Sequence, residues 1–109
     1  MRALLIVESR PVDPEHEAEY NDWYDNVHLA EVCEIPGFVS ARRYRRDEET
    51  VVPSGNVAYP YVAVYEIDSD DPPSVIQDLR ARVGDGRIVL HKALELDPKP
   101  RMTLWNLRP

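Results

Sequence analysis

The segment Tyr59-Pro60-Tyr61-Val62-Ala63-Val64-Tyr65-Glu66-Ile67 restricts the fold of this chain more than any other. Read as a strand, it places Tyr59, Tyr61, Ala63, Tyr65 and Ile67 on one face and Val62 and Val64 on the other, so both faces are largely apolar and both want cover. The amino-terminal run repeats the pattern: Leu4 and Ile6 alternate with Ala3, Leu5 and Val7 until Glu8 interrupts. Two such strands need helices against one side of a sheet and something further against the other.

The helices are signalled by their ends. Val12-Asp13-Pro14-Glu15 offers an Asp N-cap, a Pro at the first helical position and acid in the first turn, where free N–H groups and the helix dipole favour all three. A helix is expected from there to about Glu34, where Ile35-Pro36-Gly37 stops it. Trp23, Val27, Ala30 and Glu34 are expected on one side of it, flanked by Tyr20, Tyr24 and His28. Asp70-Asp71-Pro72-Pro73-Ser74 repeats the opening, and Val75, Ile76, Leu79 and Val83 form the apolar stripe of a second helix closed by Gly84-Asp85-Gly86.

Phe38-Val39-Ser40-Ala41-Arg42-Arg43-Tyr44-Arg45 is expected as a strand whose arginine cluster forms a solvated edge, and Pro53-Ser54-Gly55-Asn56 as the loop to the next strand. Arg101 to Leu107 completes the set as a final strand, while Arg87 to Leu96 fits a strand fragment, a short helix or a packed loop equally well. With 109 residues the chain can bury one core but hardly two, so one domain over residues 1–109 is expected.

The order strand, helix, strand, strand, helix, strand is that of the split βαβ unit: an α+β, ferredoxin-like fold with a four-stranded antiparallel sheet and both helices on one face. One sheet face is then bare. Covering apolar surface is worth about 25 cal/mol per Å², and a second copy packed sheet to sheet through a two-fold axis is the economical cover. A homodimer with a closed α/β barrel is therefore expected.

Charge and cysteine content remove several function classes. Acidic residues outnumber basic ones and the net charge is −7, so the positive field of a nucleic-acid binder is missing. The apolar start is too short for a signal core or a bilayer span, which gives no membrane partner and a cytoplasmic expectation. Cys33 is the only cysteine, so no internal disulfide forms, and it is expected as a buried or half-buried thiol. Three scattered histidines make no metal signature, and His16 and His91 are expected at the surface. No phosphate loop, dinucleotide fingerprint or Gly-x-Ser-x-Gly elbow occurs, so no cofactor is expected, although a lone His could still ligate haem.

The chemistry concentrates in Tyr20-Asn21-Asp22-Trp23-Tyr24-Asp25-Asn26-Val27-His28-Leu29, where a helix carries aromatic residues in place of the usual Lys, Glu and Ala. This segment, with Ile35-Pro36-Gly37-Phe38-Val39-Ser40-Ala41-Arg42-Arg43-Tyr44 after it, resembles the EthD-like dimeric α/β-barrel proteins, a group that includes small polyketide cyclases, cofactor-free monooxygenases and muconolactone isomerases. The resemblance is close over the first half of the chain and extends to the second half only as element order. It implies a pocket between sheet and helices in each subunit, open to small, often aromatic, molecules.

Tyr24 and His28 stand four apart and so share a helix face. A histidine titrates near neutrality and can take and return a proton, while a neighbouring phenol can hold or protonate a developing enolate. The pair suits cyclisation, isomerisation or decarboxylation of a hydrophobic, aromatic or polyketide-like substrate. Trp23, Tyr20, Tyr61 and Tyr65 are the candidates to bind it, though Trp23 also suits a core, and Tyr61 and Tyr65 suit the barrel interior as well as a pocket wall. Asp22 and Asp25 are expected to be solvated. Two alternatives use the same residues: a cofactor-independent monooxygenase acting on a phenol, and a non-catalytic binding or accessory protein whose aromatic residues fill a core.

Overall fold

A computed structural model describes residues 1–50 and 59–109; the expected loop at Pro53 to Asn56 lies outside them. Four strands form one antiparallel sheet: β1 (Arg2–Ser9), β2 (Phe38–Arg45), β3 (Tyr61–Asp68) and β4 (Arg101–Asn106), in the order β2-β3-β1-β4. The two strands apolar on both faces occupy the two central places, as their composition demands. β3 begins at Tyr61 because Pro60 has no N–H for the ladder; its carbonyl instead accepts a hydrogen bond from the Arg46 N–H at 2.8 Å.

The first helical rod starts where the Asp-Pro signal places it. Asp13 caps it, its Oδ1 accepting the His16 N–H at 2.9 Å, and a 3-10 turn (Pro14–His16) leads into α1 (Glu17–Trp23). A π-helical turn (Tyr24–His28) follows, in which the Leu29 N–H donates to the Tyr24 carbonyl five residues back, and α2 (Leu29–Cys33) completes the rod. This turn changes the buried face. On a regular α-helix each four-residue step runs roughly 40° past a full turn, so Tyr20, Tyr24, His28 and Val32 would drift apart. The wider π turn absorbs the excess, and all four are buried, whereas Val27, Ala30 and Glu34, expected beside Trp23, are exposed.

Ile35-Pro36-Gly37 reverses the chain into β2. Gly37 has φ +104, a left-handed conformation that side chains disfavour, and Val75 of α3 (Pro72–Gly84) packs directly on it. β2 begins with a bulge: Phe38 pairs with Ile67 and Ser40 with Glu66, which leaves Val39 as the extra residue. The Asp71 side chain makes no capping bond at the start of α3, since Pro72 and Pro73 supply no N–H, and the Ser74 N–H donates to the Asp71 carbonyl at 3.1 Å. Residues 87–96 form a packed loop that buries Ile88, Ala93 and Leu94 and bridges to Pro11 through Leu94.

Both helical layers cover the sheet face that carries Ala3, Leu5, Val7, Ala63, Tyr65 and Ile67. The opposite face bears Leu4, Val39, Tyr44 and Trp105, all exposed, among half-buried Ile6, Val62 and Val64. Among the described residues no helix is long and apolar enough to cross a membrane.

Candidate functional site

Between the central strands, the first helical rod, α3 and the 87–96 loop lies a cavity of about 520 Å³. Its walls are mainly apolar, from Val7, Val32, Leu79, Val83, Leu90 and Leu94, and its polar lining includes Tyr24, His28 and Tyr65. The i, i+4 pair of the first helix thus meets one tyrosine of β3 at a single hollow. A separate hollow of about 330 Å³, lined among others by Leu4, Val39 and Trp105, holds none of these groups.

His28 is the buried imidazole of the chain. Its ring stacks on Trp23 at 4.5 Å between centroids and meets Tyr24 edge-on at 5.1 Å. Desolvation lowers its pKa from 6.5 to about 4, so near neutral pH the ring is uncharged and, in contrast to the near-neutral titration expected from the sequence, a weaker base than a free imidazole until an anion beside it stabilises the protonated form. His28 Nδ1 and Glu31 Oε1 are both buried without a hydrogen-bond partner among the described residues and stand 3.9 Å apart, too far to bond to one another. Burial likewise raises the pKa of the Glu31 carboxyl.

The two phenols keep their protons. Burial pushes the Tyr65 hydroxyl well above its usual range, with the neighbouring Tyr24 adding to the effect, and burial also raises Tyr24 against the opposing pull of Ser9, Tyr65 and Arg43. Both are therefore hydrogen-bond donors at neutral pH. A neutral imidazole beside protonated phenols can take a proton from a substrate where the imidazolium pairs with the oxyanion left behind and the phenols donate hydrogen bonds to that oxyanion.

The other aromatic candidates stand behind this wall rather than in it. Trp23 is buried and supports His28, with His91 on its other flank at 5.9 Å. Tyr20 is fully buried, pushed up to about 12 by desolvation, and its hydroxyl shares a 2.5 Å hydrogen bond with Ser9 Oγ. The Tyr61 hydroxyl donates to Glu17 Oε2 at 2.6 Å and accepts from Asn21 Nδ2 at 3.1 Å. Tyr20 and Tyr61 touch one another at 5.3 Å, and neither lines the cavity.

Arg43 departs from the solvated edge expected for the arginine cluster. Its side chain is 9% exposed, and its guanidinium lies over the rings of Tyr24, Tyr61 and Tyr20 at 4.4, 4.9 and 5.1 Å. It donates to Asp25 Oδ1 at 2.8 Å and Asn21 Oδ1 at 2.9 Å, which locks β2 to the first helix. Arg43 pairs with Ala63 across the sheet and so shares the helix-covered face, while Arg42 and Arg45 are exposed. A period-2 count from Phe38 puts Arg43 on the opposite face; only allowance for the bulge at Val39 would have turned it inward.

The remaining titratable candidates are accounted for locally. Asp22 accepts from Asn26 at 2.8 Å and Asp25 from Arg43, so neither carboxylate contacts His28. His16 pairs with Asp13 at 2.6 Å, and His91, half-buried rather than at the surface, accepts the Ala93 N–H at 3.0 Å through Nδ1. Cys33 is half-buried, with burial raising the pKa of its thiol. Among the described residues no three His, Cys, Asp or Glu side chains gather as a metal site.

No protein-family model and no curated protein matches the chain. Solved structures do. A "putative monooxygenase" from Shewanella loihica PV-4 superposes with a TM-score of 0.59 at 18% identity, covering 99% of this chain and 95% of that one. An ethyl tert-butyl ether D (EthD) family protein from Bacillus halodurans C-125 gives 0.55 at 18% identity, with 99% of both chains covered. HapK from Hahella chejuensis gives 0.54 at 16% identity, over 97% of this chain and 92% of its own. The chain thus has the ferredoxin-like α+β fold that these three proteins share.

Proposed function

We propose that residues 1–109 work as one ferredoxin-like unit, paired with a second copy through the open sheet face, and that the unit is a cofactor-free enzyme for a small molecule with an aromatic or polyketide-like body. The observation that carries this reading is the neutral His28 imidazole set in the wall of an apolar cavity beside two protonated phenols. In the proposed step His28 takes a proton from a carbon or hydroxyl made acidic by a neighbouring carbonyl. Tyr24, with Tyr65 beside it on the cavity wall, donates a hydrogen bond to the enolate oxygen that forms. The imidazolium then returns the proton at a different atom, which is isomerisation, or the enolate carbon attacks a carbonyl carbon of the same molecule, the C=O π pair moves to oxygen and the alkoxide takes the proton back from the imidazolium, which is ring closure. Trp23 holds the imidazole plane, and Tyr20, backed by Tyr61, packs edge-on against Tyr24 while Arg43 lies over all three rings. The proton-transfer roles are thus assigned to His28 and Tyr24, and Trp23, Tyr20, Tyr61 and Tyr65 are assigned to shaping the bound substrate's surroundings.

A second reading draws on the fold neighbour from Shewanella loihica PV-4, described as a "putative monooxygenase". The same base could deprotonate an electron-rich phenol and expose the phenolate to molecular oxygen, which becomes the oxidant. One experiment separates the readings. A panel of β-dicarbonyl and polyphenolic compounds is incubated with the protein while dissolved oxygen and product mass are followed. Isomerisation or ring closure without oxygen uptake supports the first reading, and uptake matched to product supports the second. His28→Ala is expected to lower either turnover by about 10²–10⁴-fold, the usual worth of a general base. Unchanged turnover in a folded His28→Ala protein would remove both.

A further inference from the structure

We infer that the ligand of the 520 Å³ cavity is an anion with an apolar body, whose acidic group rests at the mouth on Arg80 and Lys99 while the body lies inward toward His28. The inference deepens the proposed function and rests on the cavity being the substrate site.

The charge pattern is the argument. The chain holds 20 Asp and Glu against 13 Lys and Arg. Among the described residues the cavity lining nonetheless holds no carboxylate: the side chains there that carry charge at neutral pH are Arg80 and Lys99, since the buried His28 is neutral. Both cations are exposed. Several arginines elsewhere are neutralised in place, as in Arg82 with Asp78 at 3.0 Å, Arg87 with Asp85 at 2.8 Å and Arg43 with Asp25 at 2.8 Å, while others, such as Arg2, Arg42 and Arg108, are exposed without an ion pair among the described residues; what sets Arg80 and Lys99 apart is that they line the cavity. Arg82 lies two residues along the same helix and takes the Asp78 carboxylate, whereas Arg80 and Lys99 have no carboxylate within ion-pair distance among the described residues. Residues 51–58, Val-Val-Pro-Ser-Gly-Asn-Val-Ala, contain no acid that could serve.

Desolvation fixes the orientation. An ionised group placed deep among Val7, Val32 and Leu79 would lose its hydration without a compensating cation. At the mouth it keeps water and gains two positive side chains. The acid therefore stays outside and the apolar body enters, which brings the far end of the molecule to the imidazole. A carboxylate is the simplest such group, and any fixed anion on an aromatic body shares the chemistry.

Two fluorescent probes with a common body test this without knowledge of the substrate: 1-anilinonaphthalene-8-sulfonate, an anion, and N-phenyl-1-naphthylamine, its uncharged parent. The sulfonate is expected to bind the folded protein about five- to tenfold more tightly than the amine at low salt, the worth of two partly exposed ion pairs, with the preference shrinking as salt rises. The double variant Arg80→Gln/Lys99→Gln should erase the preference while leaving the amine's affinity unchanged, and Val83→Trp, which fills the cavity, should weaken both probes. Equal affinity of the two probes for the parent protein overturns the anion inference and leaves the cavity reading intact. A preference that survives the double substitution overturns the assignment to these two residues. If neither probe binds, or Val83→Trp changes nothing, the cavity is not a ligand site and the proposed function fails with the inference.

Discussion

A histidine kept uncharged inside a protein makes stability depend on pH in a definite direction. The folded pKa of His28, about 4, lies below its unfolded value of 6.5, so its contribution is fully present above pH 6.5 and is lost as pH falls toward 4, because the unfolded chain takes up the proton first. The loss is about 3 kcal/mol across that window. His16 has the opposite sign: Asp13 raises its pKa, so its contribution is present below 6.5 and disappears as pH rises through the folded value. Comparison of the parent with His28→Leu isolates the buried ring. Urea midpoints at pH 7 and pH 4.5 should differ far less in the variant than in the parent, and parallel pH profiles would show His28 to be solvated. The site itself was partly legible at this scale: Tyr24 and His28 follow from their spacing alone, and the structure puts both on the cavity wall. Arg43 was not, because its inward orientation depends on one unpaired residue at Val39 that no local pattern announces.

Among the elements, helix starts and strand cores were written in local chemistry and folded as that chemistry dictates. Asp13-Pro14 and Asp71-Pro72 open their helices, Gly84 closes the second, and the apolar runs at Ala3–Val7 and Tyr61–Ile67 become the paired central strands. The π turn at Tyr24–His28 was hidden, since it arises when four bulky side chains at four-residue spacing must all reach one core. Gly37 is the joint on which the two layers meet. A Cβ there would fall 2.6 Å from Val75 Cγ2 while φ stays at +104. Gly37→Ala is therefore expected to destabilise the fold by about 2–3 kcal/mol, strain and overlap together. Chemical denaturation measures this directly; Val75→Ala placed in the Gly37→Ala background should recover part of the loss, and no recovery would show that overlap is not the cause.

For the whole molecule the unresolved demand is the second face of the sheet. Trp105 is 57% exposed and Tyr44 53%, with Leu4 and Val39 beside them, an apolar surface of the kind that marks an interaction site. Sedimentation of the parent protein is expected to give a species of about twice the 12.6 kDa chain mass, and Trp105→Glu with Leu4→Glu a single chain of unaltered fold. A parent that sediments as one chain at micromolar concentration would refute the pairing. The sequence by itself determined where the two main helices and the four strands lie, that two of the strands are apolar on both faces and need cover, and that Tyr24 and His28 share a helix face, because capping, turn chemistry and hydrophobic period act over a few residues. Only the tertiary structure decided that Tyr65 joins that pair at a hollow while Tyr20 and Tyr61 stand behind it, that Arg43 turns inward, and that Arg80 and Lys99 come to the cavity mouth. Those outcomes depend on where α3, the 87–96 loop and the start of β4 settle against the sheet, and that is fixed by packing between segments far apart in sequence, such as those that bring Tyr24 and Lys99 to one cavity, which no local pattern encodes.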